Sequence, residues 1–207
     1  MPRFNIAPSQ EQWTILLDHS GMPVPGQLRW GLVPSWASDP SVGQRMVNAR
    51  ADSVAGKPSY KASFKQRRCL ILADGYYEWS GGGKSRVPMF FHLTGHRDFA
   101  MAGLWDRWEQ RGELLDTCTI ITTNASAKAA AYHHRMPALL TLDGAEEWLD
   151  PASSESRLLE LLSPYELPNL ECYEVSKLVN TPANDSESCI TPARSGEGSE
   201  ELSLWDA

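Results

Sequence analysis

The sequence predicts an α+β fold with a mixed, barrel-like β core and a few flanking helices. Six short runs rich in β-branched, aromatic or leucine residues, each bounded by Gly, Pro or Asp, read as strands. Helical patterns are fewer and shorter. Strands and helices do not alternate as βαβ units, which excludes a doubly wound parallel sheet.

Taken in chain order, residues 10–17 read as a helix, and QLRWGLV at 27–33 as the first strand. A short helix is expected over 59–65, followed by strands at 68–73 (RCLILA) and 76–80 (YYEWS). The run Gly81-Gly82-Gly83-Lys84 then suits a hairpin connection into a strand at 89–93 (MFFHL). Strands at 99–104 and 115–122 follow, then helices at 125–132, 144–149 and 154–162. The stretch TPANDSESCITPARSGEGSEE is irregular in pattern. One domain over 1–192 with an acidic, disordered tail at 193–207 is the expected organisation.

Composition narrows the class. With 42% hydrophobic and 22% charged residues in 207, the chain is globular and long enough for its own core. No apolar run reaches the ~18 residues of a membrane span, and MPRFNIAPSQ lacks the apolar centre of a signal peptide. A soluble, cytoplasmic protein follows as the expectation. Cys69, Cys118, Cys172 and Cys189 are widely spaced without a CxxC pair, so they read as reduced core thiols.

The net charge of −7 argues against a nucleic-acid partner, but its distribution is uneven. Residues 185–207 hold six acids against one arginine, whereas 45–86 hold nine basic residues against three acids. That basic segment fits either a polyanion surface or a solvated helix face.

Four clusters carry candidate chemistry. In Val47-Asn48-Ala49-Arg50-Ala51-Asp52, Asn48 and Arg50 share one face of an extended segment. An amide beside a guanidinium suits a substrate oxygen or phosphate, although a turn with a surface arginine gives the same letters. In Ala73-Asp74-Gly75-Tyr76-Tyr77-Glu78-Trp79, a carboxylate among aromatic rings loses hydration, which raises its pKa toward acid/base use. The alternative is that Glu78 faces solvent. In Tyr132-His133-His134-Arg135-Met136-Pro137, adjacent histidines cannot both face one site from a strand, and Arg135 suits a phosphate contact. No Cys or carboxylate falls at ligand spacing, so neither a metal nor another cofactor is expected. Trp30 reads as core, while Trp36, beyond Pro34, suits a platform for stacking a base.

In order, these clusters resemble the SOS-response-associated peptidase (SRAP) family. The resemblance is carried by R-F-N-I-A-P at 3–8, W-G-L-V-P-S-W at 30–36, N-A-R at 48–50, A-D-G-Y-Y-E-W at 73–79, H-x-R-M-P at 133–137 and V-S-K-L-V-N at 175–180. It spans nearly all of residues 3–192. It implies a compact SRAP-like fold with a basic cleft for single-stranded DNA, recognition of abasic sites, and covalent capture of the sugar aldehyde. In the family, capture uses the α-amine and thiol of a cysteine that follows the initiator Met and yields a thiazolidine DNA–protein crosslink. Exposing that cysteine is the self-processing peptidase step. By motif match, Glu78 is the acid/base residue for sugar ring opening, His133 orients the sugar, and Asn48 positions the attacking amine. Arg50 and Arg135 hold the DNA backbone, and Trp36 packs on the DNA. A monomer, nucleoid-associated when bound to DNA, is the implied state.

The chain departs from the family at its start. Met1-Pro2-Arg3 leads directly into the R-F-N-I-A-P motif, and no residue matches the nucleophilic cysteine, so an N-terminally truncated domain is expected. Two other readings compete: a non-covalent single-strand DNA binder without aldehyde chemistry, and a hydrolase of peptides. The second lacks a cysteine with a histidine beside it in sequence.

Overall fold

A computed structural model describes residues 2–82, 86–95, 98–164, 167 and 169–193. The expected tail beyond 193, and Gly83 and Lys84 of the expected hairpin connection, lie outside the described residues. The strands are β1 (Glu11–Leu17), β2 (Pro23–Trp30), β3 (Asn48–Arg50), β4 (Arg68–Ala73), β5 (Gly75–Ser80), β6 (Val87–Leu93), β7 (Phe99–Gln110), β8 (Glu113–Asn124), β9 (Arg135–Pro137), β10 (Leu139–Leu140) and β11 (Leu170–Glu174). The α-helices are α1 (Pro58–Gln66), α2 (Ala127–Ala130), α3 (Leu142–Leu149) and α4 (Glu155–Leu161).

Strands β7, β4, β1, β2 and β8 pair in that order, and β8 returns to β7, so the sheet closes into a five-stranded barrel. Closure leaves no exposed edge among these five strands. The β2–β8 and β3–β8 pairs are parallel and the other barrel pairs antiparallel, giving the mixed β core that the sequence predicts. The barrel interior is tight at Gly103, where a Cβ would fall 2.7 Å from Ile71 Cδ1 and 2.9 Å from Cys69 Sγ. A second sheet, β11–β6–β5, shares no ladder with the barrel but packs on it, with Tyr76, Met89, Phe91 and Leu170 in one cluster with Leu28, Ile71 and Met101. The β5–β6 pairing of Ser80 with Val87 agrees with a hairpin there.

Residues 10–17 form no helix; β1 is a central strand paired with both β2 and β4. Its inward residues are polar. Gln12 donates to Cys118 Sγ and Thr14 Oγ1 to the Gly26 carbonyl, while Trp13 is 55% exposed. An inverted in/out polarity removes the alternation signal of a half-buried strand. The helix expected at 125–132 shrinks to the single turn of α2.

Trp148 of α3 is fully buried and packs edge-on to Phe64 of α1. Arg68 lies beneath them, 7% exposed, and donates to the carbonyls of Phe64, Lys65, Trp148 and Asp150. One guanidinium thus satisfies orphan carbonyls at the ends of two helices. All four cysteines are free.

Candidate functional site

Period-two alternation in β5 separates two roles. Tyr77 and Trp79 face one way: Tyr77 Oη donates to the Phe4 carbonyl at 2.6 Å and Trp79 Nε1 to Asn180 Oδ1 at 2.7 Å. Tyr76 and Glu78 face the other way, and Tyr76 stacks on Phe91 at 4.9 Å. Glu78 is therefore carried on a strand that is fixed on both faces. Its side chain is 24% exposed. Burial raises the Glu78 carboxyl above the usual carboxylate range, against the opposing pull of His133 and the Trp79 N–H.

His133 follows α2, where its N–H still bonds the Ala129 carbonyl at 3.1 Å. Its Nδ1 lies 2.9 Å from the Arg135 carbonyl and 3.5 Å from Glu78 Oε1. A protonated Nδ1 donates to that carbonyl with the carboxylate as its electrostatic neighbour. His134 is exposed, with its ring 4.4 Å from that of His133.

Strand β8 outruns β7 at its C-terminal end, and there it takes β9 on one side and β3 on the other. This splay gathers the cations. The Arg135 side chain, 11% exposed, bonds the Thr122 carbonyl, Thr122 Oγ1 at 3.2 Å and Asn124 Oδ1 at 3.3 Å. Burial and the Arg50 charge draw its pKa down, opposed by Asp52. Arg50, 65% exposed, grips Asp52 with Nε at 3.1 Å and a terminal nitrogen at 2.6 Å. Asp52 Oδ2 is also 3.8 Å from Arg135. Asn48 is exposed on the same side of β3 as Arg50, with buried Ala49 between them.

A continuous path of contacts thus runs from Glu78 through His133, Arg135 and Asp52 to Arg50, with Asn48 beside it. Five of the six predicted residues belong to this constellation. Trp36 is 66% exposed, but its turn is anchored elsewhere, by Ala37 N–H to the Pro34 carbonyl at 2.9 Å and Ser35 N–H to Asp106 Oδ2 at 3.0 Å. A cavity of about 280 Å³ lined by Ser38, Asp39, Pro40, Trp108, Gln110, Arg111 and Glu113 contains none of the six. Among the described residues, no group of three or more His, Cys, Asp or Glu converges as a metal site. Asp52, in the turn after β3, joins the site through its grip by Arg50, and no strand alternation in the sequence marks it.

A site that joins a desolvated carboxylate from β5 to an imidazole and two arginines beside the C-terminal end of β8 is equipped for proton transfer beside an anion. The family description "SOS response associated peptidase (SRAP)" matches residues 1–182, and the chain belongs to that family. It is 43% identical over 192 residues to the abasic site processing protein YoqW of Bacillus subtilis, covering 91% of this chain and 85% of that one. The abasic site processing protein HMCES of Gallus gallus is 40% identical over 195 residues, which cover 82% of this chain and 57% of that protein. A solved structure of a protein from Bacteroides thetaiotaomicron superposes with a TM-score of 0.80 at 28% identity, covering 89% of this chain and 82% of that one. These likenesses bear out the fold class and family read from the motifs.

Proposed function

We propose that this protein binds single-stranded DNA at abasic sites and processes the exposed sugar. The observation that carries the reading is the contact path itself: Glu78 meets His133, the His133 ring meets the Arg135 backbone carbonyl, and the Arg135 side chain shares Asp52 with Arg50. The names of the YoqW and HMCES relatives point the same way. An abasic deoxyribose reacts through its open-chain aldehyde, and ring opening requires proton transfer at the hemiacetal oxygens. A carboxyl whose hold on its proton is strengthened by desolvation is suited to supply and take back that proton. His133 orients the sugar, Asn48 positions the attacking amine, and Arg50 and Arg135 hold the flanking phosphates. Trp36 offers a stacking surface for a neighbouring base. Covalent capture of the aldehyde by a terminal amine and thiol belongs to this reading as the family's route. Among the described residues, no helix is long and apolar enough to cross a membrane.

The test compares abasic and intact oligonucleotides by anisotropy and by denaturing gel, with and without borohydride. Tighter binding of the abasic strand is expected, and a heat-stable adduct only from a version that carries a family-type N-terminal cysteine. In that version His133→Ala should suppress adduct formation, whereas His134→Ala, at an exposed position, should change it little. Equal affinity for both strands with no product would leave only a non-covalent single-strand binder.

A further inference from the structure

The bidentate grip of Arg50 on Asp52 is the geometry that a phosphate would adopt on the same fork. The neighbouring Arg135 is committed differently. It is nearly buried and fixed by Thr122 and Asn124, so its position does not depend on Asp52 alone. Arg50 is largely exposed, and both Nε and a terminal nitrogen are already occupied by the carboxylate. The Nε edge of the fork, the one that Asp52 holds, cannot take a phosphate bidentately without releasing the carboxylate, which leaves only the Nη1 side for a weaker contact. Asp52 stands in the turn after β3, where Ser53 N–H bonds the Arg50 carbonyl at 3.1 Å, and its side chain is 52% exposed. It can swing into water at the loss of its longer contact with the nearly buried Arg135 at 3.8 Å and of its bond to Ser53.

We propose that Asp52 is a placeholder anion: it occupies the Arg50 fork in the free protein and yields it to a backbone phosphate when a DNA strand enters. This rests on the reading of Arg50 as a phosphate contact. The exchange gives up the exposed Arg50 ion pair and the longer pairing with Arg135, puts the phosphate charge in their place, and leaves a carboxylate beside the strand. Asp52 therefore acts as a specificity residue. It weakens the hold on any strand that gains little elsewhere in the site, and the displaced carboxylate takes up a cation that offsets part of the counterion release.

The measurement is anisotropy of a fluorescein-labelled oligothymidylate over a salt series, with wild type, Asp52→Asn, Asp52→Ser and Arg50→Ala. Both Asp52 variants should bind about two- to fivefold tighter at low salt, the scale of an exposed ion pair. Their plots of log affinity against log salt should be steeper by up to about 0.7. Thermal melts identify which Asp52 variant is fully folded, and that variant decides the outcome. Unchanged or weaker binding by it, while Arg50→Ala loses affinity, would overturn the placeholder role and leave Arg50 as a phosphate contact. Unchanged binding by Arg50→Ala would instead remove the phosphate contact, and the proposal with it.

Discussion

Glu78 shows how one side chain acquires its chemistry from its neighbours. The strand GYYEWS places it beside Tyr76, and its carboxyl is held above the ordinary range chiefly by burial. Because the folded state then binds this proton more tightly than the unfolded chain, stability falls as pH rises from the ordinary value of about 4.3 through the folded value, and levels above it. Glu78→Gln has no such contribution. In urea titrations from about pH 4 to 8, the variant should gain stability relative to wild type across that window and hold a constant difference beyond it. The same variant should slow sugar processing by about 10²–10⁴-fold. A pH-independent stability difference would show that the carboxyl is not desolvated. The sequence made Glu78 visible because a lone acid stood within an aromatic strand. It did not make Asp52 visible in the same way, since an acid after N-A-R-A looks like any turn residue until Arg50 is seen to grip it.

Among the elements, the misread one is the most instructive. EQWTILL has the apolar content of a helix, yet β1 turns Gln12 and Thr14 inward and Trp13 outward, because the adjacent β2 and the non-adjacent β8 supply polar partners. β4 at Arg68–Ala73 and β5 at Gly75–Ser80 are legible almost to the residue, whereas β2 starts four residues before its apolar run and β7 extends six beyond its own. The opening R-F-N-I-A-P motif, which helps to carry the family resemblance, forms a clasp. Asn5, 5% exposed, donates through Nδ2 to the carbonyls of Val179, Thr181 and Asn184 at 2.9–3.2 Å. Asp185 accepts the N–H groups of Phe4 and Asn5 at 2.6 and 2.9 Å and pairs with Arg3. This ties the first residues to the segment after β11, on the face of β5 opposite Glu78. Asn5→Ala removes these bonds, leaving the Val179 carbonyl without its amide donor while Thr181 keeps the Asn184 N–H, and should cost about 1–3 kcal/mol. Urea denaturation should show a lower midpoint with an unchanged slope. A change below the error of the midpoint would mean that water replaces the amide without loss.

At the scale of the molecule, charge is redistributed by folding in a way that a count along the chain cannot register. Of the nine basic residues in 45–86, Arg68 is spent on helix carbonyls, Arg67 pairs with Asp106 at 3.1 Å and Arg50 pairs with Asp52. Arg45, Lys57, Lys61, Lys65 and Arg86 remain exposed. The surface available to a polyanion is thus smaller than the segment's composition implies, and the acidic background matters more. Residues 194–207 carry four acids and one arginine, a net −3 within the chain's −7. Truncation after Ala193 keeps the bond from its N–H to the Glu174 carbonyl, which closes the described chain. It also removes nearly half of the net charge that opposes an approaching DNA strand. Single-strand affinity should therefore rise in the truncated protein at low salt, chiefly through faster association. The gain should fade toward 1 M salt, where screening shortens to about 3 Å. Stopped-flow association of a labelled oligothymidylate across a salt series reads both effects. Weaker binding by the truncated protein at every salt concentration would mean that the acidic residues support the complex, and the purely repulsive role assigned to them would be wrong.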